Sequence, residues 1–332
     1  MSGRKPNAGR ALGAVAALGL VATIAMAGTA GDEPLPRAKP VPRLQAIPLP
    51  YDQATIERDG IELTRYHFAA TLRRPFLFPV NGPSGRSLTR MGHPHATYSH
   101  SHHNSVWVAH HDVDGESFWA DTGSGRIVTQ WIAEYFDGDT EAGLVAIAHW
   151  VGREGRVLLQ ERRGIRVLTL ADGEWLLLLD LHLEAERPIT LGRTPFGLVA
   201  VRMAKTIGVA DGGGTIRNSE GNVDEQGENG CLWKRARWVD YSGPIRTGVN
   251  EGIALFDHPA NPNHPTYFHV RNDGWMGASL TYDGPRTIAP EAPLRLRYGL
   301  YVHRGVPVPA AIERQWAAFA RTRLPELPLH RR

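Results

Sequence analysis

From Ile56 onward the apolar residues recur mostly at every second position, in short runs closed by Gly, Pro, Asp or Asn. A period of two puts alternate side chains on one face of an extended chain. It predicts strands over Ile61–Phe68, Ser105–Val113, Arg126–Phe136, Gly143–Val151, Arg156–Leu170, Glu174–Ala185 and Leu294–His303. Asp172-Gly173 predicts a tight turn between two of them. Only Pro309–Leu324 changes to a helical period, with proline near its start and Ile312, Trp316 and Phe319 on one face. That face should dock on a sheet. Many short strands with one helix predict an all-β fold: a large antiparallel two-sheet β-sandwich with a C-terminal helix, one domain over residues 51–325.

The N-terminal end departs from this pattern. Arg4, Lys5 and Arg10 precede the apolar run Ala11–Ala27, which ends in Ala25-Met26-Ala27. A positive start, a short apolar stretch and an A-x-A site predict a signal peptide over residues 1–27 and an exported protein. Residues 28–50 are proline-rich and predict an extended linker. Removing residues 1–27 takes the formal charge from +3 to zero, so the basic balance belongs partly to the leader. No basic tract points to nucleic acid, and no second apolar run is long enough to span a membrane. Cys231 is alone, with no base beside it in sequence, and reads as a packed thiol.

Chemistry concentrates in Gly92–Gly115, which holds His93, His95, His100, His102, His103, His110 and His111, seven of the chain's fifteen histidines. On a strand His100 and His102 share a face, a spacing that can place two imidazoles around one metal ion. The same spacing puts His110 beside Asp112, where a carboxylate could fix the imidazole tautomer for acid–base work. Trp107 lies on the other face of that strand. A second segment, Asp257–Trp275, adds His258, His264 and His269 with Asn261 and Arg271, its loop stiffened by prolines. It is expected to complete the pocket of the first. The long Gly-rich segment 212–244 offers Glu220 as a carboxylate and Tyr241 as an aromatic that could stack on a sugar. Each has a structural alternative: a satisfied core histidine, a self-capped turn, a solvated acidic loop or a core aromatic.

Three stretches, Ser99–Trp119, Trp238–Gly243 and Gly252–Arg271, resemble in order the motifs of a secreted bacterial family labelled "methane oxygenase PmoA", over about residues 55–305. His100, His102, His103, Trp107, His110, Asp112, Val113 and Gly115 match the first motif. Ser99, Asn104 and Asp114 stand where that family has Asp, Arg and Asn. Asp257, His258, Pro259, Asn261, His264, Pro265, His269 and Arg271 match the later one. The resemblance implies a large β-sandwich associated with sugar-degrading systems. Its label, taken literally, implies copper or iron oxidation, yet the membrane enzyme of that name spans the bilayer several times.

The leading expectation is an exported carbohydrate-active enzyme, acting on a glycoside or sugar derivative by hydrolysis, elimination or epimerisation. Its catalytic candidates are His102, His103, His110, Asp112, His258, His264 and His269. Its substrate-binding candidates are Trp107, Asn261, Arg271, Tyr241 and Glu220. The alternatives are a non-catalytic glycan- or metal-binding module and a metal-dependent oxidoreductase. In the metal readings His100 and His102 would hold one transition metal, Zn, Cu, Fe or Ni.

Overall fold

Two large antiparallel sheets carry the chain, in a computed structural model that describes residues 40–92 and 100–330. The leader, the first part of the proline-rich segment, His93, His95 and Ser99 lie outside the described residues. The nine-stranded sheet runs, in hydrogen-bonded order, Leu44–Leu49, Gln53–Arg58, Ile61–His67, Phe76–Val80, Val106–His110, Gly197–Arg202, Trp275–Ser279, Tyr267–Arg271 and Lys234–Arg235. The eight-stranded sheet runs Thr215–Asn218, Trp238–Arg246, Val249–Asp257, Leu294–Arg304, Trp175–Glu184, Val157–Thr169, Glu141–Val151 and Arg126–Phe136. A short pair, Ile189–Leu191 with Arg286–Ile288, stands apart.

The two sheets bury one large apolar core. Val106, Val108, Val199 and Val201 of the first join Ile165, Leu177, Leu179 and Leu300 of the second in one cluster of buried side chains. Alternation then leaves each sheet a second face. On the eight-stranded sheet part of that face is covered by the C-terminal helix, Pro309–Ala320, through Ile312 and Phe319 against Phe256, Ala254, Leu178 and Tyr301, and another part by Leu327 over Ala133, Val145 and Ile147. On the nine-stranded sheet it carries a separate aromatic cluster, Phe76, Trp107, Trp119 and Trp275 over Ala109 and Ala200.

The predicted sandwich and docked helix are therefore present. One boundary differs from the expected linker over 28–50. Leu44–Leu49 is the edge strand of the nine-stranded sheet, paired with Gln53–Arg58, and it buries Leu44 and Ala46. Its Pro48 is tolerated because an edge strand has one side without ladder partners.

Candidate functional site

The aromatic face is built by register. Phe76, Trp107, Ala200, Gly277 and His269 are cross-strand partners in one row across five strands. Arg202, Trp275 and Arg271 form the next row. Small residues in the middle of a row let large ones on its flanks lean over them. At Gly277 an added Cβ would sit 3.3 Å from both Ala200 Cβ and the Trp275 ring, so that glycine keeps Trp275 close to the sheet.

The histidine segment folds over this face. His103 N donates to the His100 carbonyl at 2.9 Å, closing a tight turn, and Gly92 N donates to the His103 carbonyl at 2.6 Å. His100 and Ser105, at the two ends of the turn, hold φ of 58° and 56°, the left-handed region that non-glycine residues enter at a cost. Arg74 secures the turn from below. Its guanidinium donates to the carbonyls of Phe118 (3.1 Å), His102 (3.1 Å) and Trp119 (2.6 Å) and to Asn104 Oδ1 (2.6 Å). One buried cation thus positions both His102 and Trp119.

The rings pack as a continuous strip. His103 stacks on Trp107 at 4.9 Å and touches Trp275 at 5.0 Å. Trp275 meets His269 at 4.3 Å, and Phe196 meets His269 at 5.3 Å. Beyond His269 the strip reaches Trp233 (6.0 Å), which is 44% exposed, and then Tyr282 (5.9 Å) and Tyr267. Four buried ring nitrogens on this strip have no hydrogen-bond partner among the described residues: His103 Nδ1, His269 Nδ1, Trp107 Nε1 and Trp275 Nε1. Buried polar atoms are paired almost everywhere in folded proteins, so several orphans on one face mark a place where the fold is not optimised for itself alone.

Electrostatically the imidazoles are held neutral. Burial pushes His102 down to about 4, helped by the nearby Arg74 charge. Burial drives His103 far lower and lowers His100 as well. His269 falls to about 4, again from burial first and Arg271 second. At neutral pH these rings therefore offer lone pairs and N–H donors without charge. His100 and His103 stack at 4.5 Å with His102 set edge-on to His103, so the three pack as rings rather than converge as ligands. Among the described residues no three His, Cys, Asp or Glu side chains are gathered to hold a metal ion.

The other sequence-selected residues are placed elsewhere, with physical reasons for each. His110 shares parity with Val106 and Val108, so it points into the sandwich, where Nε2 bonds Thr281 Oγ1 at 2.8 Å. Its expected partner does not reach it: the Asp112 backbone N–H, not the carboxylate, donates to His110 Nδ1 at 3.1 Å. The Asp112 carboxylate accepts from Gly115 N at 2.9 Å and shapes that turn. The Asp257–Trp275 segment is the crossover between the two sheets, which divides it. His269 and Arg271 reach the aromatic strip and its rim. Asp257, His258, Asn261 and His264 stay at the C-terminal helix, so they do not complete the first pocket. There Asp257 accepts from Asn261 Nδ2 (2.8 Å), His264 Nδ1 (2.7 Å) and Thr266 N (3.0 Å). His264 stacks on Trp316, and His258 Nε2 bonds the Thr322 carbonyl at 3.0 Å.

Tyr241 is fully buried, its hydroxyl between Val209 N and the Arg271 and Asn272 carbonyls, so its ring has no open face for a sugar. Glu220 is on the surface with Ser219 and Arg237. The Gly-rich segment contributes Glu225 instead, which pairs with Arg271 Nε at 2.8 Å. Cys231 is buried, and burial pushes its thiol up to about 12. Sequence reasoning passed over Arg74, Arg90, Trp119, Phe196, Arg202, Trp233 and Trp275. The available signal was parity: Trp107 and Trp275 alternate with inward Val and Met residues, which marks them as outward-facing aromatics.

Comparison with solved structures finds weak likenesses. A heparan sulfate lyase, HepC from Pedobacter heparinus, is 10% identical with a TM-score of 0.39, over 80% of this chain and 37% of that one. The polysaccharide lyase BACCELL_00875 is 11% identical with a TM-score of 0.30, over 80% and 33%. This chain thus spans about a third of either enzyme, and likeness at this level says nothing of its chemistry. No curated protein matches the sequence. Residues 53–317 match the family described as "Family of unknown function (DUF6807)", and the chain belongs to that family.

Proposed function

We propose that the aromatic face of the nine-stranded sheet is a saccharide site, and that the protein is a carbohydrate-active enzyme working there on a glycoside or sugar derivative. The observation that carries the reading is the set of four partnerless buried ring nitrogens along one aromatic strip that ends in exposed Trp233. Aromatic rings bind the C–H faces of a sugar, and Trp233 offers such a face at the open end of a strip whose buried part holds the nitrogens that the fold leaves unpaired. His102 is the proton-handling group in this reading. It is half-buried, neutral at physiological pH, and held by the Arg74 bond to its carbonyl. A neutral imidazole can take a proton from a hydroxyl or an acidic C–H and return it to a leaving oxygen. His103 and His269 line the site, the buried Trp107, Trp119 and Trp275 back it, and Trp233 presents the open ring face.

A binding-only version of the site has one observation in its favour: among the described residues no carboxylate bonds His102 or His103. The test that separates the two follows product formation over a panel of oligosaccharides, by new reducing ends and by unsaturated sugar products. Catalysis requires turnover that drops by at least about 100-fold in His102→Gln, in line with loss of a general acid or base, while binding persists. Binding that is lost in Trp275→Ala with no turnover on any oligosaccharide would establish the module and discard the enzyme.

A further inference from the structure

Arg90 and Arg202 lie side by side at the edge of the strip. Arg90 N donates to the Arg202 carbonyl at 3.0 Å, and the segment from Arg90 continues to Gly92 beside His103. Both side chains are buried, at 8% and 2% exposure. Arg90 Nε and Nη1 and Arg202 Nε are buried with no partner among the described residues. Arg202 Nη1 reaches Asp273 Oδ1 at 3.2 Å, and the other oxygen of that carboxylate is 3.5 Å from His100 Nδ1. No described carboxylate forms an ion pair with Arg90. The next cation on this face, Arg271, is neutralised by Glu225.

Two buried guanidiniums therefore share one carboxylate that is itself 40% exposed. A buried cation short of counter-charge is costly, and among the described residues Asp273 and Asp211 act on Arg90 only from a distance, neither forming an ion pair with it. A guanidinium is also the group best shaped to grip a planar or tetrahedral oxyanion. The charge is felt across the site: Arg202 and Arg90 help to lower His100 and His103. An anion seated at the pair would offset that field.

We propose that Arg90 and Arg202 form an oxyanion subsite that takes the carboxylate of a uronic acid or the sulfate ester of a sugar lying on the aromatic strip. The substrate class is then an acidic saccharide. This rests on the saccharide reading of the same face.

The test is calorimetric titration of the full chain with two matched pairs of oligosaccharides. One pair is a glucuronate-containing oligomer and the same oligomer with its carboxyls reduced to alcohols. The other is a sulfated galactan oligomer and its desulfated form. The expected result is at least tenfold tighter binding of an acidic member over its neutral partner, and the pair that shows it identifies carboxylate or sulfate. Arg90→Met should bring the two members to equal affinity. Because it removes an unpaired buried charge, it should not lower the melting temperature. Equal affinity within both pairs in the wild type, with binding lost in Trp275→Ala, overturns the subsite and leaves the saccharide site standing. Preference that survives Arg90→Met, together with a lowered melting temperature, assigns Arg90 to the scaffold and overturns the proposal. No binding of any of the four counts against the subsite and the saccharide reading together.

Discussion

His102, His103, His110 and His269 share one electrostatic fact: burial keeps each of them neutral well below the usual imidazole range. For a histidine depressed in this way the unfolded chain binds the proton first, as pH falls through about 6.5. Folded stability is therefore fully retained above that value and declines from there down to about 4, where His102, His110 and His269 themselves protonate. His110, with no exposed surface, contributes on the order of 3 kcal/mol of this loss. Thermal melts between pH 7 and pH 4 should show a falling midpoint, and His110→Asn should flatten the fall. A flat profile in the wild type would mean that the rings are not desolvated as described.

The metal reading also belongs to single residues. His100 and His102 stand two apart, as a ligand pair would, but their rings are 6.1 Å apart at 63° and His100 lies against Asp273. Dialysis against a chelator should leave saccharide affinity unchanged. Loss of affinity that one equivalent of Zn, Cu, Fe or Ni restores would make them ligands instead. From sequence, the two-residue spacing correctly separated Trp107 from His110. It could not show that a tight turn breaks the strand before Ser105, because that turn depends on Arg74, 28 residues away from His102.

At the scale of elements, the site is a turn pinned to a sheet. Arg74 bonds Phe118, Trp119, His102 and Asn104 at once. Arg74→Met leaves two buried carbonyls, of Phe118 and Trp119, and the half-buried one of His102 without this donor, each buried one costing about 1–3 kcal/mol. Urea denaturation should show a loss of about 3 kcal/mol or more, and fluorescence of the Trp119 environment should change with it. A loss under 1 kcal/mol would show that the turn holds itself. The helix is a control on the opposite side. Phe319→Ala should cost about 3–5 kcal/mol by emptying the contact with Phe256 and Gly299, with saccharide affinity unaltered. The helix, its docking face and most strand limits could be read from periodicity. The split of Asp257–Trp275 could not, since a sequence shows a crossover loop and a pocket loop in the same letters. Only the sheet order reveals that Asp257 and His269 belong to different layers.

At the scale of the whole molecule, the sandwich has two outer faces put to different uses. One is closed in part by a helix over apolar residues, and the other keeps neutral imidazoles, tryptophans and two buried arginines that share one carboxylate. The fold class was legible because alternation over long strands is a strong signal. The choice of face was not, because Trp and His outward on a sheet look in sequence like any half-buried alternation. On this reading saccharide chemistry belongs to the nine-stranded face and not to the Asp257–His264 cluster. The most direct measurement is the affinity of one bound oligosaccharide for two single variants, Trp275→Ala and His264→Gln, beside the wild type. The expected result is at least a tenfold loss in Trp275→Ala and no change in His264→Gln. Loss in His264→Gln with Trp275→Ala unaffected would place the site on the other face and contradict it.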